Sequence, residues 1–436
     1  MKKLIFVLIF LLSSYKTHLY SQTGWYQQSS GVNDFLISIY FVNSNTGWIC
    51  GDNGRILKTT NGGENWLTQV SNINFALRSI YFLNENTGWA AGGKFDLTFI
   101  CSKIILKTTN GGNTWLQNFN TPDFYNTLNN IYFSDFNTGY ATGFGGTGSG
   151  TTGVFLKTTN AGNSWVEYGS SESYSSIYFT DQTNGWLLSN YGDDTGHDTA
   201  FLIKTINSGD NWTRIISKDK NTFKKIQFIS FNTGYILARD QLNGFNRNLI
   251  LKSTDGGINW IDIYPDIQFS LDAMYFIDED TGWVAGGKIY KTINGGSNWS
   301  LQLDNGLQFI NAINFVNTLT GWAVGEGGLI LKTITGGLTS IGYSNENIPN
   351  DFSLSQNYPN PFNPTTNINF SIPKSSFVTL KVYDMLGKEV ASLVNENLNP
   401  GSYYFDFNAA NLTSGIYFYK LTTLNFTDIK KMTLLK

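Results

Sequence analysis

Few side chains in this sequence could carry acid–base or nucleophilic chemistry. Only two of the 436 residues are histidines, His18 and His197, and His18 lies in an N-terminal stretch typical of an export signal. That leaves His197 as the single histidine for a serine–histidine or cysteine–histidine nucleophile or for a zinc site built on histidine, and this nearly excludes those chemistries. The sequence therefore favours a non-catalytic protein, and it predicts no catalytic residue, no cofactor and no bound metal.

Paired carboxylates are the enzymatic chemistry that remains open, because two acids suffice to hydrolyse a glycosidic bond. The candidate acids are Asp96, Asp193, Asp194, Asp240 and Glu326. The cluster Asp193, Asp194 and Asp198 could also offer oxygen ligands to Ca²⁺, but its spacing matches no regular calcium-binding loop. A glycoside hydrolase is therefore the alternative to a binding protein.

Arginine and aromatic side chains are the residues best suited to binding a partner. Arginines can hold carboxylates or phosphates through two parallel hydrogen bonds, and aromatic rings can stack on sugars or peptides. The candidate binding residues are Arg55, Arg78, Tyr125, Tyr174, Phe223, Arg239 and Arg247. The three aromatic candidates belong to a wider aromatic set that also includes Phe35, Phe75, Phe269 and Phe309. The alternative for each is structural, with rings packed inside the fold and arginine stems lying on its surface.

Seven copies of one phrase organise the first three quarters of the chain. Each copy has a strand like Ile-Tyr-Phe, a turn like Asn-Thr-Gly-Trp and a strand like Leu-Lys-Thr, and the first six copies also have a second turn that ends in Trp. The glycine of the first turn recurs at Gly47, Gly88, Gly139, Gly185, Gly234, Gly282 and Gly321, at spacings of 39 to 51 residues. Several short strands in a period of this length are typical of a β-propeller.

The second repeat shows the four strands expected of one blade. They are predicted at 79–83, 89–92, 104–108 and from about Trp115 onward. The seventh repeat has no fourth strand, but Trp25 stands 15 residues before Tyr40, as Trp66 stands 15 before Tyr81. The sequence therefore predicts an all-β, seven-bladed propeller in which residues 24–28 close the ring and hide its edges.

In six of the seven repeats the second turn follows the pattern Thr-x-Asn-x-Gly-x-Asn-Trp or a close variant of it, with Ser253 and Asp255 at the first two positions of the fifth copy. Its members are Asn61, Gly63, Trp66; Asn110, Gly112, Trp115; Asn160, Gly162, Trp165; Asn207, Gly209, Trp212; Asp255, Gly257, Trp260; and Asn294, Gly296, Trp299. The Asn or Asp oxygen can accept backbone N–H groups, Gly permits positive φ, and Trp buries a large face. We interpret these residues as structural.

This turn resembles the Asp-box of BNR-repeat propellers, and residues 24–337 are most similar to the photosystem II stability/assembly factor-like family. The resemblance implies the propeller fold, and it does not imply a role in photosynthesis. It also implies that the alternative enzyme would be of the sialidase or xyloglucanase class. The chain has no Arg-Ile-Pro signature of sialidases and a single propeller where the xyloglucanase type has two.

Insertions in the repeats all fall between the second and third strands. They cover residues 94–103, 144–153, 189–199 and 239–248. Since strand direction alternates, these loops share one face of the propeller with the connections between blades, and the Asp-box turns lie on the opposite face. We refer to the two as the loop face and the Asp-box face. Elaborated loops on a rigid scaffold commonly bind partners, although neutral drift would give the same pattern.

The two ends of the chain indicate export. Lys2 and Lys3 precede the apolar run 4–12, which is too short to span a bilayer, so residues 1–22 are predicted to be a signal peptide. We assign residues 23–337 to the propeller, 338–351 to a linker and 352–436 to a second domain, a small β-sandwich. Strands are predicted there at 367–372, 378–383, 401–407 and 415–421.

The second domain closely resembles the type A sorting domain of the Por (type IX) secretion system. The matching segments are NYPNPFNPTT at 357–366, VYDMLGKEV at 382–390 and SGIYFYKL at 414–421. The resemblance implies the type IX secretion machinery as a partner and a secreted or cell-surface location. Attachment to the outer membrane stays open.

Net charge and cysteine content limit the remaining functions. A net charge of −3 and a pI of about 5.5 provide no positive field for nucleic acid. A secreted route permits a disulfide between the two cysteines, Cys50 and Cys101, and the alternative is two buried, unpaired thiols. The sequence thus predicts an exported binding or scaffold protein whose propeller recognises an unknown protein or glycan.

Overall fold

In the structure, a computed structural model, the regular elements of the described residues are β-strands apart from two short 3₁₀ turns. It describes residues 24–94, 101–123, 126–147, 150–170, 172–192, 198–242, 245–304, 306, 308–337, 341–344, 349–374, 376–398, 400–409 and 412–435. These residues form nine four-stranded antiparallel sheets, of which seven are the blades of a propeller and two belong to the C-terminal domain. The predicted signal peptide lies outside the described residues.

Each blade is a meander that runs from an innermost to an outermost strand. The first strand in the chain is β1 (Gly24–Gln28). Blade 1 contains β2 (Leu36–Phe41), β3 (Gly47–Gly51), β4 (Ile56–Thr59) and β5 (Leu67–Gln69). Blade 2 contains β6 (Leu77–Phe82), β7 (Gly88–Lys94), β8 (Cys101–Thr108) and β9 (Leu116–Asp123). Blade 3 contains β10 (Asn126–Phe133), β11 (Gly139–Thr147), β12 (Gly150–Thr158) and β13 (Val166–Ser170).

Blades 4 to 7 repeat the plan. Blade 4 contains β14 (Ser173–Phe179), β15 (Gly185–Gly192), β16 (Asp198–Thr205) and β17 (Thr213–Asp219), and blade 5 contains β18 (Asn221–Phe228), β19 (Gly234–Leu242), β20 (Phe245–Ser253) and β21 (Ile261–Ile263). Blade 6 contains β22 (Leu271–Phe276), β23 (Thr281–Gly286), β24 (Lys288–Ile293) and β25 (Ser300–Asp304). Blade 7 contains β26 (Ile310–Phe315), β27 (Gly321–Gly325) and β28 (Ile330–Gly337). Single 3₁₀ turns, Asp52–Gly54 and Glu326–Gly328, join the second and third strands of blades 1 and 7.

The N-terminal strand closes the ring, as the sequence predicted. β1 pairs antiparallel with β28, with Gln28 opposite Ile330, and so becomes the outermost strand of blade 7. On the other side of the closure, Trp322 donates its indole N–H to the carbonyl of Gly62 in blade 1 at 3.2 Å. The seven-bladed fold is confirmed, and blades 1 and 7 contact each other as the other neighbouring blades do.

One aromatic stack joins every pair of neighbouring blades. The inner-strand phenylalanine of each blade lies on an aromatic ring of the preceding blade, with centroids 3.5 to 4.3 Å apart. The same ring meets the outer tryptophan of its own blade edge-on, in the pairs Phe41–Trp66, Phe82–Trp115, Phe133–Trp165, Phe179–Trp212, Phe228–Trp260, Phe276–Trp299 and Phe315–Trp25. Trp25 therefore occupies in blade 7 the place that Asp-box tryptophans occupy elsewhere.

These stacks explain why the first turn of every repeat contains glycine. A Cβ at Gly47 would lie 2.5 Å from the ring of Phe41, and the other six glycines face their own phenylalanines equally closely. Real Cβ atoms do not approach carbon so closely, so only glycine lets the ring lie flat against the second strand. The Asn-Thr-Gly-Trp phrase is thus a packing requirement.

The Asp-box turns are built by side-chain hydrogen bonds. In blade 1, Thr59 Oγ1 accepts the N–H of Gly63 at 2.8 Å, and Asn61 Oδ1 accepts the N–H of Asn65 at 3.0 Å. The same pair of bonds recurs in the boxes of blades 2 to 6. The box residues therefore hold the turn itself.

The Asp-box turns also tie each blade to the preceding one. Trp48 of blade 1 donates its indole N–H to the carbonyl of Gly111 in the box of blade 2 at 3.1 Å. Lys107 of blade 2 donates to the carbonyl of Ala161 in the box of blade 3 at 2.7 Å, with its ammonium over the Trp89 ring. Carbonyl groups of the Asp-box turns thus accept hydrogen bonds from the preceding blade.

The C-terminal domain is a sandwich of two sheets. One contains β29 (Ile341–Ser344), β34 (Gly401–Asn408), β31 (Thr365–Ile372) and β30 (Ser353–Leu354); the other contains β33 (Glu389–Leu398), β32 (Ser376–Tyr383), β35 (Gly415–Thr422) and β36 (Thr427–Leu434). Both sheets contribute to one core, in which Ile368 and Phe370 meet Leu380 and Tyr419. Residues 341–344, predicted as part of a linker, instead pair with β34 as an edge strand.

Two further findings concern the sequence predictions. Cys50 is a free thiol, completely buried on β3, so it forms no disulfide with Cys101, and burial raises the pKa of this thiol. Among the described residues, no helix is long and apolar enough to cross a membrane.

Candidate recognition face

The insertions of blades 3, 4 and 5 lengthen strands more than they form loops. In blade 3, β11 and β12 pair continuously from Gly139 opposite Thr158 to Thr147 opposite Gly150. In blade 5, β19 and β20 pair as far as Leu242 opposite Phe245. The insertions thus extend the second and third strands of these blades as paired hairpins that project on the loop face.

Three of the four candidate arginines are engaged with neighbouring side chains. Arg55 Nε lies 2.7 Å from the Asp34 carboxylate. Arg239 Nη2 donates to Ser270 Oγ at 2.7 Å. Arg247, an exposed side chain, pairs with Asp240 and also lies over a tyrosine ring. These contacts support a structural role for the three arginines.

The ion pair at Arg55 also sets the charge of its partner. Partial burial opposes ionisation of Asp34, but hydrogen bonds from Asn53 and Arg55 hold the pKa of this carboxyl below its usual range. Asp34 therefore stays ionised at neutral pH and remains bound to Arg55. This pair anchors the connection that leads from blade 7 into blade 1.

Arg78 is the exception among the arginines. Its side chain forms no hydrogen bond or ion pair with any residue in the described part of the chain, and its Nε is buried. It lines a cleft of about 350 Å³ between blades 1 and 2, with Asp52, Asn53, Asn74, Phe75, Ala76, Gly93 and Lys94. A buried guanidinium N–H without a protein partner is costly, so this cleft is suited to an acceptor supplied by a ligand.

The cleft contains one acid whose ionisation is perturbed. Burial raises the pKa of Asp52 and the nearby Asp34 carboxylate adds to the effect, while Arg78 partly offsets them. Asp52 therefore gains its charge at higher pH than an exposed aspartate does. The balance of charge in the cleft shifts toward Arg78 as the pH falls.

The aromatic candidates divide by burial. Phe223 is completely buried in the core between blades 4 and 5, so its prediction as a ligand-stacking ring was wrong. Tyr174 is half-buried and packs on the core, and Tyr125 lies outside the described residues. Three rings of the wider aromatic set, Phe35, Phe269 and Phe309, are 43 to 48% exposed.

The two acids of the alternative function that the structure describes, Asp240 and Glu326, do not form a pair. Asp240 is buried against Arg247, and Glu326 lies in the 3₁₀ turn of blade 7, two blades away. Asp96, Asp193 and Asp194 lie outside the described residues. Within the described part of the chain, no group of three or more metal-ligating side chains comes together.

Comparisons with known proteins agree with both halves of this architecture. Residues 17–165 match the family "Photosynthesis system II assembly factor YCF48", and residues 356–434 match the "Secretion system C-terminal sorting domain" of the Por system. The chain joins a YCF48-like propeller to a Por sorting domain. None of the curated proteins matches it.

Solved structures support the same fold. A YCF48 bound to D1 peptide aligns with a TM-score of 0.52 at 17% identity, covering 72% of this chain and 97% of that one. YCF48 from Cyanidioschyzon merolae aligns with a TM-score of 0.50 at 19% identity, covering 71% and 98%. At these identities the likeness shows the fold of the YCF48-like propeller and nothing of its ligand.

The first motif of the Por sorting domain is anchored to the sandwich by three buried residues, Asn357, Phe362 and Thr366. Asn357 Nδ2 donates to Thr366 Oγ1 at 2.9 Å, and the backbone N–H of Asn357 donates to the Tyr419 hydroxyl at 2.7 Å. In contrast, Met385 and Leu386, in the VYDMLGKEV turn, are 66% and 94% exposed. The first motif therefore fixes the sandwich, and the second presents apolar surface to the outside.

Two rings line the central channel, and the sequence analysis did not identify them. Every inner strand carries a β-bulge at the same place, and the bulged residues, here named the mouth ring, are Ile37, Arg78, Asn129, Ser175, Lys224, Asp272 and Asn311. Three residues further along, the tyrosine ring consists of Tyr40, Tyr81, Tyr132, Tyr178, Gln227, Tyr275 and Asn314. The mouth ring lies toward the loop face, because inner strands begin there.

Most residues of both rings bind the neighbouring blade. In the tyrosine ring, Tyr81 and Tyr132 each donate to the carbonyl of the next blade's phenylalanine, at 3.0 and 2.9 Å. In the mouth ring, Asn129 and Ser175 donate to carbonyls of the next inner strand at 3.0 and 2.7 Å. Arg78 occupies a mouth-ring position without such a bond.

Proposed function

We propose that this chain is an exported recognition protein that binds a protein or glycan partner on the loop face of its propeller. The observation that carries the proposal is the cleft of blades 1 and 2, where Arg78 alone among the candidate arginines has no partner among the described residues. A cation in this setting favours a ligand with a carboxylate, phosphate or sulfate group.

The contrast between the faces supports this choice. Asp-box carbonyls accept bonds from the preceding blade, so that face is committed to holding the ring together. The loop face combines the cleft with exposed rings and lengthened hairpins, which is the usual arrangement of a binding surface on a rigid scaffold. A solved propeller of similar fold binds a peptide, which makes a peptide partner a reasonable first test.

The Por sorting domain supports export through the type IX secretion system, and we propose that residues 1–22 first direct the chain across the inner membrane. To test the export step, residues 352–436 are fused to a reporter that carries its own signal peptide. The reporter should leave the cell in a host with an intact type IX system and stay in the periplasm of a secretion mutant. Equal release from both hosts would contradict the proposal.

Recognition is tested by binding of the purified chain to peptide and glycan arrays. Arg78→Gln should weaken binding at least about tenfold, since a charge-assisted hydrogen bond in a partly buried site is lost. Lys220→Gln, which removes an exposed positive charge from the same face, is the matched control and should bind normally. Binding unaffected by Arg78→Gln would remove the cleft as the recognition site.

A further inference from the structure

An unusual lysine lies on the inner wall of the channel. Two residues before the tyrosine ring, six blades have the small residues Ser38, Ser79, Asn130, Ser176, Ala273 and Ala312, and blade 5 has Lys225. The serines show why the position is small, since Ser38 and Ser79 accept backbone N–H groups of the next inner strand at 3.3 and 3.1 Å. A lysine side chain has no room in such a contact.

The neighbours of β18 leave one direction open for the Lys225 side chain. β18 is covered by β19 on its outer edge, by blade 4 through Ser176, and by blade 6 through the bond from Gln227 to the carbonyl of Phe276. Lys225 is nevertheless half-buried and not fully buried. The central channel is the one side of β18 left open to solvent.

Lys225 has no counter-charge in the described part of the chain. Its neighbour Lys224 binds Asp272 at 2.5 Å and the carbonyl of Leu271 at 2.7 Å, which leaves Asp272 already paired. No acid approaches Lys225, and burial alone lowers the pKa of its ammonium to about 8. At neutral pH Lys225 therefore still carries a partly buried positive charge that no described acid balances.

Two uncommitted hydrogen-bond donors share the wall with this cation. Tyr178, in the tyrosine ring of blade 4, forms no hydrogen bond with the described residues, unlike Tyr132 and Tyr275, which donate to the next blade. Asn130, at the level of Lys225 but in blade 3, is half-buried and likewise without a described partner. An ammonium, a hydroxyl and an amide on three consecutive blades are the donors that a carboxylate accepts from.

We propose that the central channel is a carboxylate-binding site in which Lys225, assisted by Tyr178 and Asn130, holds the acidic end of the ligand. The approach is from the loop face, past Arg78 in the mouth ring, because the tyrosine ring lies between Lys225 and the Asp-box face. This site deepens the recognition role proposed above and rests on it for the face of approach. Its chemistry fits the terminal carboxylate of a peptide or the carboxylate of a sugar acid.

The test is calorimetric titration of the purified full chain at pH 7 with four probes. They are N-acetyl-triglycine, its C-terminal amide, D-glucuronate and D-glucose. One or both carboxylates should bind, and the matched uncharged probes should not. Binding of the peptide identifies a chain terminus as the source of the carboxylate, and binding of glucuronate alone identifies a sugar acid.

Lys225→Met should lower the affinity for the bound carboxylate at least about tenfold, and Lys220→Met should leave it unchanged. Folding is checked by the unfolding midpoint, which Lys225→Met should raise, because it removes an uncompensated charge. The bound carboxylate should raise the midpoint of the unmodified chain and not that of Lys225→Met. No carboxylate binding at millimolar concentration, or binding unchanged by Lys225→Met, would overturn the proposal.

The two proposals fail separately. Array binding that depends on Arg78 but not on Lys225 would keep the cleft and remove the channel site. Carboxylate binding that depends on Lys225, with no partner found on the arrays, would keep the channel site and remove the cleft.

Discussion

Trp25 should contribute as much to propeller stability as a tryptophan from the middle of the repeats. Its side chain is 2% exposed and meets Phe315 edge-on, with ring centroids 5.7 Å apart. Trp66, at the equivalent position of blade 1, is 9% exposed and meets Phe41 at 5.9 Å. The two indoles thus have the same environment, although one lies near the N-terminus, where frayed segments are common.

The magnitude follows from burial. Replacing a buried tryptophan with alanine usually costs about 3–5 kcal/mol, as the apolar surface and the edge-on ring contact are lost and a cavity is left. We expect Trp25→Ala and Trp66→Ala to lower the free energy of unfolding by amounts in this range and within about 1 kcal/mol of each other. Leu67→Ala, at a side chain 65% exposed, is the control and should change it by less than about 0.5 kcal/mol.

Urea unfolding followed by tryptophan fluorescence measures this directly. All 12 tryptophans lie between residues 25 and 322, so the signal reports the propeller and not the sorting domain. A Trp25→Ala variant that behaves like Leu67→Ala, while Trp66→Ala is strongly destabilised, would refute closure of the ring by β1.

Three further changes test other contacts. Gly139→Ala should cost about 1–3 kcal/mol, since the new Cβ would overlap the Phe133 ring. Gly287→Ala, whose new Cβ would make only an ordinary van der Waals contact with Phe269 at 3.7 Å, should be nearly neutral, and urea midpoints compare the two variants. Hydrogen bonds from the turn backbone hold the pKa of Asp255 at about 2. The stabilising effect of its carboxylate is therefore complete above pH ~4 and is lost as the pH falls through 2. Asp255→Asn should remove this part of the acid-induced loss of stability, and an unchanged dependence of stability on pH would contradict the assignment. Tyr419→Phe should leave the buried N–H of Asn357 without its acceptor. It should therefore lower the free energy of unfolding of the sorting domain, measured by calorimetry, by about 1–3 kcal/mol, and leave the unfolding transition seen by tryptophan fluorescence unchanged.

The ring could be predicted from the sequence because its determinants are local and repeated. The equal spacing from Trp25 to Tyr40 and from Trp66 to Tyr81 placed β1 in blade 7, and the structure confirms it. Turn chemistry is similarly local, so the Asp-boxes could be located without knowing what they contact.

Side-chain direction on the inner strands was harder to predict. A strand alternates its two faces, but the bulge in every inner strand shifts that alternation by one residue. Phe223 lies four residues before Gln227, just as the buried Leu36 lies four before Tyr40, so alignment of the repeats on the tyrosine ring would have assigned it to the core. The exposed Phe35 lies one residue earlier, and the sequence analysis placed both in one class.

Seven copies of one plan allow the chain to be compared with itself. Some departures from the plan preserve its bonds: Gln227 replaces a tyrosine and still donates to the next blade at 2.8 Å, and Asn314 replaces another and accepts a backbone N–H at 3.2 Å. Arg78 and Lys225 depart from the plan without any such bond among the described residues. Since partly buried cations without a bonded partner reduce stability, selection for folding alone would favour their loss, and both positions lie between the loop face and the tyrosine ring. Their shared position is therefore the strongest structural argument that an anionic ligand approaches this propeller from the loop face.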